Sequence, residues 1–364
     1  MRFQKIMISL KKYIKKVVLK MKYLCYLGKE KFFYNSKNIS TKLNPKEVLI
    51  KVSACGLCGS DKTKLFLEDA IDKSPNVDTL GHEVTGIVLE VGCEVPYTEI
   101  GKYVVIQPFK GCGKCGYCKI GKEYFCQEKS VLGYNINGGM AEYIIVNYNM
   151  IYELNSNIPL VLGTLVDPLA VAVHTLSTIP RNTGEVLIIG SGTIALMVAI
   201  LLKYEYDIDV SIMVNSKEQM RKIDKITSEV NIKVFQNEDQ RIQYDLVIEA
   251  VGGEQVHTFL TAMQKVKLGG RIRVIGAFSS TTDITLNLRQ LFYKEIDILG
   301  INSYETSKEN NDFLLAIQLL EKYSLVWKKL ITHQVPLRNA STFLNMLKLK
   351  KISPSPIKTV FFME

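Results

Sequence analysis

Cysteine is sparse in this chain. Eight cysteines in 364 residues are too few for a disulfide scaffold. No hydrophobic run is long enough to cross a bilayer. The longest, 186–202 between Glu185 and Lys203, falls short of the ~20 residues a spanning helix needs and contains Gly-Ser-Gly. No secretory leader is legible, because Lys11, Lys12, Lys15 and Lys16 break the apolar stretch after Met1. The thiols are therefore expected to be reduced, cytoplasmic and available to metal. Internal repeats and low-complexity segments are missing too. Acid is missing from residues 1–22, which hold Arg2 and seven lysines. That segment carries +8 of the net +10, leaving 10 − 8 = +2 for the rest. No basic face of the kind that binds nucleic acid is expected in the body.

Hydrophobic residues make up 47% and charged residues 23%, which suits a globular chain and excludes a disordered or collagen-like one. The length suits two domains of ~100–200 residues each. In the basic leader, Ile6, Leu10, Ile14 and Val17 recur at helical spacing, which would suit a membrane-surface helix. The simpler expectation is a disordered extension over residues 1–20, with no membrane role.

Two textures follow. From about 21 to 151 short alternating runs, such as 47–52, 86–91 and 103–107, predict a β-rich module. From about 184, strands at 186–189, 209–214, 232–235, 246–250 and 271–275 alternate with helices at 194–203, 217–227 and 254–266. Such alternation predicts a doubly wound parallel sheet of α/β type. A helix near 312–323 and a strand at 358–362 close the chain.

Cys112, Cys115, Cys118 and Cys126 form C-x2-C-x2-C-x7-C among glycines. Four thiolates so spaced can wrap one tetrahedral Zn²⁺, and four protein ligands leave no open position, so the role is structural. An iron–sulfur cluster fits less well, because the compact ferredoxin run closes with C-x3-C. The run 186–189 leads into Gly190-Ser-Gly192-Thr-Ile-Ala195. After a buried strand and opening a helix, this is a dinucleotide turn. Gly190 bends the chain, Gly192 admits the pyrophosphate, and Ala195 permits close packing.

Further motifs stand in order along the chain. They are Cys55-Gly-Leu-Cys58-Gly-Ser60-Asp61, Gly81-His82-Glu83-Val-Thr-Gly86, the cysteine run, Gly138-Gly-Met-Ala-Glu-Tyr143 and Asp167-Pro-Leu-Ala-Val-Ala-Val-His174. Together they resemble the medium-chain zinc-dependent alcohol dehydrogenases, near their polyol (sorbitol-type) branch, over about residues 21–364. The resemblance implies a GroES-like β-rich catalytic domain over 21–175 and a Rossmann NAD(P)-binding domain over 176–304. It also implies a C-terminal return, 305–364, that completes the first domain.

By the same resemblance Cys58 and His82 match catalytic zinc ligands, and Asp61 matches the acid that orients the ligand histidine. Asp167 falls where the polyol branch carries Glu, one methylene longer. Glu83 is a second carboxylate able to enter the zinc shell, so the third ligand is left open between them. Ser60 matches the hydroxyl that takes the substrate proton. Thr63 stands where a relay histidine is common, so the proton must leave through Thr63, water or another route. Lys358 matches a late basic position near the pyrophosphate, or else is an exposed strand lysine. A zinc with three protein ligands keeps one position open for an alcohol oxygen and lowers its pKa, which favours loss of hydride.

The acid that usually binds the adenosine ribose falls at Val214, with Asn215 as the other register, and neither is acidic. Ser216, Lys217 and Arg221 follow, so the cofactor expectation is NAD(P), leaning to NADP. Two zinc ions per subunit, a small alcohol or polyol substrate, and a homodimer or homotetramer complete what the resemblance implies. Cys25 is expected in the first strand. Cys55 and Cys93 are expected to be ordinary thiols, and His174 a satisfied core histidine. The alternatives are a zinc-free quinone reductase of the same fold, and a non-catalytic zinc-stabilised or membrane-tethered binding protein.

Overall fold

The strand Val186–Ile189 is buried along its whole length, as a central parallel strand must be. In the computed structural model, which describes residues 18–66, 77–236, 242–279 and 281–364, this strand pairs in parallel with Val210–Met213 on one side and Tyr244–Glu249 on the other. The whole sheet runs in the order Lys233–Phe235, Val210–Met213, Val186–Ile189, Tyr244–Glu249, Val266–Val274, Asp297–Gly300, and every pair is parallel. In chain order that is 3-2-1-4-5-6, the doubly wound arrangement whose crevice lies where the order reverses. The helix Thr193–Tyr206 has no polar face at its centre. Ala195 through Leu202 are all buried, and the helix ends at Asp207 in a left-handed conformation, φ 53°.

The β-rich half is a seven-stranded sheet built around Glu47–Gly56. That strand pairs antiparallel with Glu83–Val91, with Tyr143–Asn147 and with the C-terminal strand Lys358–Phe362. The last strand also pairs in parallel with Ile331–Pro336. The end of the chain therefore sits beside its first sheet, with Val360 opposite Gly56 and Gly56 opposite Glu83. The helix Val166–Ser177 joins the two halves and shares a core with Thr193–Tyr206 and Asp312–Lys322. His174 makes a 2.8 Å hydrogen bond to Asp312 across that packing.

The first strand, Val18–Gly28, starts earlier than expected. Residues 18–20, assigned from sequence to a disordered extension, are strand, and Cys25 lies within it. Its partner Lys31–Ser40 was not anticipated, because Phe32 is its single buried residue and no alternation marks it. Ile6, Leu10, Ile14 and Val17 lie outside the described residues. Among the described residues no helix is long and apolar enough to cross a membrane.

Candidate metal and cofactor sites

Among the described residues two groups of ligand atoms converge, each within 4.8 Å: Cys112 with Cys115, Cys118 and Cys126, and Cys58 with His82 and Glu83. In the first, Cys115 and Cys118 sulfurs lie 3.5 Å apart and Cys112 and Cys118 sulfurs 4.0 Å apart. A tetrahedron with ~2.3 Å Zn–S bonds has edges of about 3.8 Å, so the four sulfurs fit one zinc. Backbone N–H groups of Lys114 and Cys115 lower the Cys112 thiol to about 7, and burial pushes Cys118 up to about 12. The lobe is tied down by Lys110 on Glu123 at 2.9 Å, and by Tyr124 against the His174 ring at 5.8 Å.

The second group is assembled from sheet register. Cys58 follows the end of Glu47–Gly56, and His82 and Glu83 open the neighbouring strand. Asp61, 1% exposed, accepts from the Cys58 N–H at 3.0 Å and faces His82 Nδ1 at 3.4 Å. Burial raises the Asp61 carboxyl, but His82 outweighs it and the net lies below the ordinary value. Burial likewise works against a charged His82, yet Asp61 and Cys58 hold it well above its ordinary value. With Nδ1 turned to Asp61, the other ring nitrogen, Nε2, is the one left to meet a metal beside Cys58. A thiol, an imidazole and a carboxylate whose ligand atoms lie within 4.8 Å of one another are a donor set that fits zinc.

Glu83 Oε2 touches the ammonium of Lys358, which also donates to Leu57 O at 3.4 Å. Lys358 is 2% exposed, so it is not an exposed strand lysine, and its ammonium is engaged at the metal group. The strand register that sets Lys358–Phe362 beside Gly56 carries it to the metal group. A Cβ at Gly56 would collide with the Glu83 carboxylate and crowd Lys358 Cε at 2.9 Å, so a larger residue there would force this pair to shift. Cys55 is fully buried, and burial pushes its thiol up well above the ordinary value, while Cys93 is exposed.

Asp167 lies outside the three converging residues. Its Oδ1 accepts the Tyr304 hydroxyl at 2.8 Å, and burial lifts its carboxyl to about 6. Tyr304 was not singled out from sequence. Neither was Tyr134, whose hydroxyl meets Ser60 and whose ring lies 6.1 Å from His82. The Lys64 ammonium sits 3.2 Å over that ring. The Thr63 hydroxyl donates to Gly59 O at 3.3 Å, back into its own helix. A donor spent this way makes Thr63 a poor relay.

At the dinucleotide turn, Gly190 has φ 120° and donates to Met213 O at 2.9 Å. Nothing lies within 4 Å of a Cβ built on Gly192, so the approach to the helix N-terminus is open. Thr193 donates its hydroxyl to Ile357 O at 2.9 Å, and Ala195 is buried. Val214 departs from expectation. Its side chain is 4% exposed and packs in the core, so it does not face a ribose. Asn215 is the exposed residue at the strand end, followed by Ser216, which caps the next helix by accepting from Gln219 N at 3.2 Å. Lys217 and Arg221 are exposed.

Residues 44–156 match the alcohol dehydrogenase GroES-like domain family. The chain is 30% identical over 300 residues to D-arabinitol dehydrogenase 1 of Uromyces fabae, covering 79% of this chain and 82% of that one. It is 30% identical over 317 residues to L-idonate 5-dehydrogenase of Vitis vinifera, covering 81% and 82%. A zinc-binding dehydrogenase structure from Sinorhizobium meliloti, bound to NADP, superposes with TM-score 0.83 at 22% identity, over 94% of this chain and 99% of that one. Fold and sites define a two-domain, hydride-transferring oxidoreductase. The chain belongs to the medium-chain zinc-dependent alcohol and polyol dehydrogenase family, whose chemistry uses zinc and NAD(P) on an alcohol.

Proposed function

We propose that this enzyme oxidises a secondary hydroxyl of a polyol or sugar-alcohol derivative with NADP, reversibly, at a zinc held by Cys58, His82 and Glu83. The observation that carries the assignment is the convergence of those three ligand atoms within 4.8 Å, with His82 oriented by Asp61. When bound, the metal lowers the pKa of the alcohol and so favours loss of hydride. Asp167, fixed by Tyr304 beside this group, acts from the edge of the metal shell and not as the third ligand. Ser60 takes the substrate's hydroxyl proton, and Tyr134, hydrogen-bonded to Ser60, holds that hydroxyl in place. Names of the relatives, D-arabinitol and L-idonate dehydrogenase, support a polyhydroxylated substrate.

The four-cysteine lobe holds a second, structural zinc, giving two per chain. Preference for NADP is supported by the lack of an acid at Val214 or Asn215, and by the exposed Lys217 and Arg221. A cytoplasmic location is supported by the eight free thiols, which suit a reducing compartment. Self-association is supported by the apolar rim of the open sheet edge Asp297–Gly300. Leu268, Leu288, Phe292 and Tyr293 are 64–76% exposed there, more than a solitary surface favours. Absorbance at 340 nm with a panel of polyols and both cofactors tests the reaction. Metal analysis of wild type and Glu83→Gln tests the ligand set: Glu83→Gln should lose the catalytic zinc, and retention of both ions would move the role to Asp167.

A further inference from the structure

The segment 304–312 touches the cysteine lobe on one side and the helix Val166–Ser177 on the other. Tyr304 donates to Asp167 Oδ1 at 2.8 Å, and its ring packs 5.0 Å from Phe109, on the strand Phe109–Lys110 that leads into the lobe. A little further on, Thr306 N–H donates to Gly121 O at 3.3 Å, and Gly121 N–H donates in turn to Cys118 O at 3.2 Å. Gly121 holds φ 77°, and a Cβ there would collide with the Ser307 side chain and stand 2.7 Å from Ser307 Cα. Lobe and segment therefore meet backbone to backbone at this joint.

The helix is held at two places. Its approach lies against the strand Glu83–Val91, where a Cβ on Gly163 would stand 2.8 Å from Thr85 Oγ1. His174 stands two turns beyond Asp167, so the two side chains share a face. Asp312 Oδ2 accepts from Glu305 N–H at 2.8 Å and meets His174 Nδ1 at 2.8 Å. Tyr124, from the lobe, lies edge-on to the His174 ring at 5.8 Å. Segment and lobe thus grip one helix face together, at Asp167 and at His174. Regular structure within the lobe amounts to two single turns, Gly116–Lys119 and Glu123–Phe125. Its order must come from the four convergent sulfurs and from Glu123, which accepts from Gly111 N–H at 3.1 Å and from Lys110 at 2.9 Å. A loosened lobe would free the segment at Gly121 and Phe109, and the Asp167 carboxylate would move with it. Misplacement by ~1 Å near a reacting centre can cost ~100-fold in rate.

We propose that 304–307 is a positioning strap: Tyr304 sets Asp167 at the edge of the catalytic metal group, and Thr306 and Ser307 take their own place from the cysteine lobe. The lobe then tunes turnover as well as stability. Thr306 and Ser307 are positioning residues that act through Tyr304. The strap rests on the reaction and the role of Asp167 proposed above.

The test is a double-mutant cycle on the zinc-loaded enzyme: wild type, Tyr304→Phe, Gly121→Ala and the pair. Lys119→Ala, at an exposed position of the lobe, is the control and should match wild type. Two quantities are read: kcat with KM for a polyol, and the rate at which a chromogenic chelator takes zinc from the catalytic group. Release from the lobe is identified in Cys58→Ala, which retains that ion alone. Tyr304→Phe should lower kcat and hasten catalytic zinc loss by ~10-fold or more, the size of a lost orienting partner, with KM little changed. Gly121→Ala should move both in the same direction, and the pair should be no worse than Tyr304→Phe alone. Ser307→Gly, which removes the side chain that the new methyl meets, should restore part of what Gly121→Ala loses. If Gly121→Ala folds poorly, Glu123→Gln loosens the lobe from its other side and carries the same expectation. Independent, multiplying losses in the pair, or wild-type kcat and zinc release in Tyr304→Phe, would overturn the strap. Absence of turnover by the wild-type enzyme with every polyol and both cofactors would overturn the dehydrogenase assignment instead, and zinc release would still read the strap.

Discussion

Tyr304 donates its hydroxyl hydrogen to Asp167 Oδ1 at 2.8 Å, with its own ring 5.0 Å from Phe109 and 5.7 Å from Phe313. The tyrosine is 1% exposed, so its only conspicuous polar task is to hold that carboxylate. The preceding residue, Ser303, sits at φ 70°, a left-handed conformation uncommon for serine. A locally unfavourable backbone next to the residue that holds a half-buried acid is the kind of feature found at functional sites.

The first prediction concerns that acid. Burial lifts Asp167 from 3.8 to about 6, so the metal-free folded chain holds its proton more tightly than the unfolded chain does. Stability from this group is fully present below about pH 4 and is lost as the pH rises through about 6. Asp167→Asn should therefore raise the stability of metal-free protein at pH 8 by roughly 1–2 kcal/mol, discounted for partial exposure. The same variant should lose activity in the zinc-loaded enzyme. Calorimetry with a chelator between pH 4.5 and 8 checks this, and parallel pH slopes for the two proteins would contradict it.

The second concerns the cysteine lobe. Cys115→Ser removes one of four converging sulfurs and should lower stability by ~2 kcal/mol or more, because structural metal binding contributes folding free energy. Thermal unfolding with and without chelator reads it out. The wild-type melting temperature should fall on chelation, and the variant's should respond much less.

The third follows from the crowding at Gly56. A methyl group there meets both Glu83 Oε2 and the Lys358 side chain, so Gly56→Ala should expel the carboxylate and reduce zinc content to about one ion per chain. Glu83→Gln leaves the buried Lys358 without its acid, which costs about 3–5 kcal/mol for a buried pair. Cys58→Ala, which orphans no charge, should be the milder of the two in a denaturant titration and still abolish turnover.

The fourth concerns cofactor choice. Because Val214 is buried in the core, an acid there would destabilise the protein, and the informative substitution lies one residue on. Asn215→Asp should shift the kcat/KM ratio toward NAD, since a carboxylate accepts from a ribose 2′-hydroxyl and repels a 2′-phosphate. Lys217→Ala should weaken NADP more than NAD. Strong wild-type preference for NAD, untouched by Lys217→Ala, would remove the case for NADP.

What could be read from sequence was whatever lies close along the chain. The cysteine run, the glycine turn and the alternation of strands with helices are local patterns, and each appears in the structure where the pattern stands. The partners that long-range register brings together were not legible. Lys358 reaches Glu83 only because Val360 pairs with Gly56, which pairs with Glu83 in turn. Tyr304 meets Asp167 from 137 positions away, and no periodicity announces such a contact. The strand Lys31–Ser40 is not legible because Phe32 alone is buried and no alternation marks it, and Val214 is misplaced because counting along a strand does not say which face is buried. His82 with Asp61 was foreseen only because a family resemblance supplied the pairing.

Hydride transfer at the group formed by Cys58, His82 and Glu83 can be followed directly. The most direct measurement follows deuterium from the carbinol carbon of a labelled secondary polyol, such as a 2-deuterated pentitol, into the nicotinamide ring by mass spectrometry. Wild type and Cys58→Ala would be compared, with zinc content measured on the same samples. Deuterium should appear in the reduced cofactor for wild type with two zinc ions. None should appear for Cys58→Ala, folded and retaining one. Undiminished transfer by Cys58→Ala, or by wild type stripped of the zinc at this group, would contradict a reaction there.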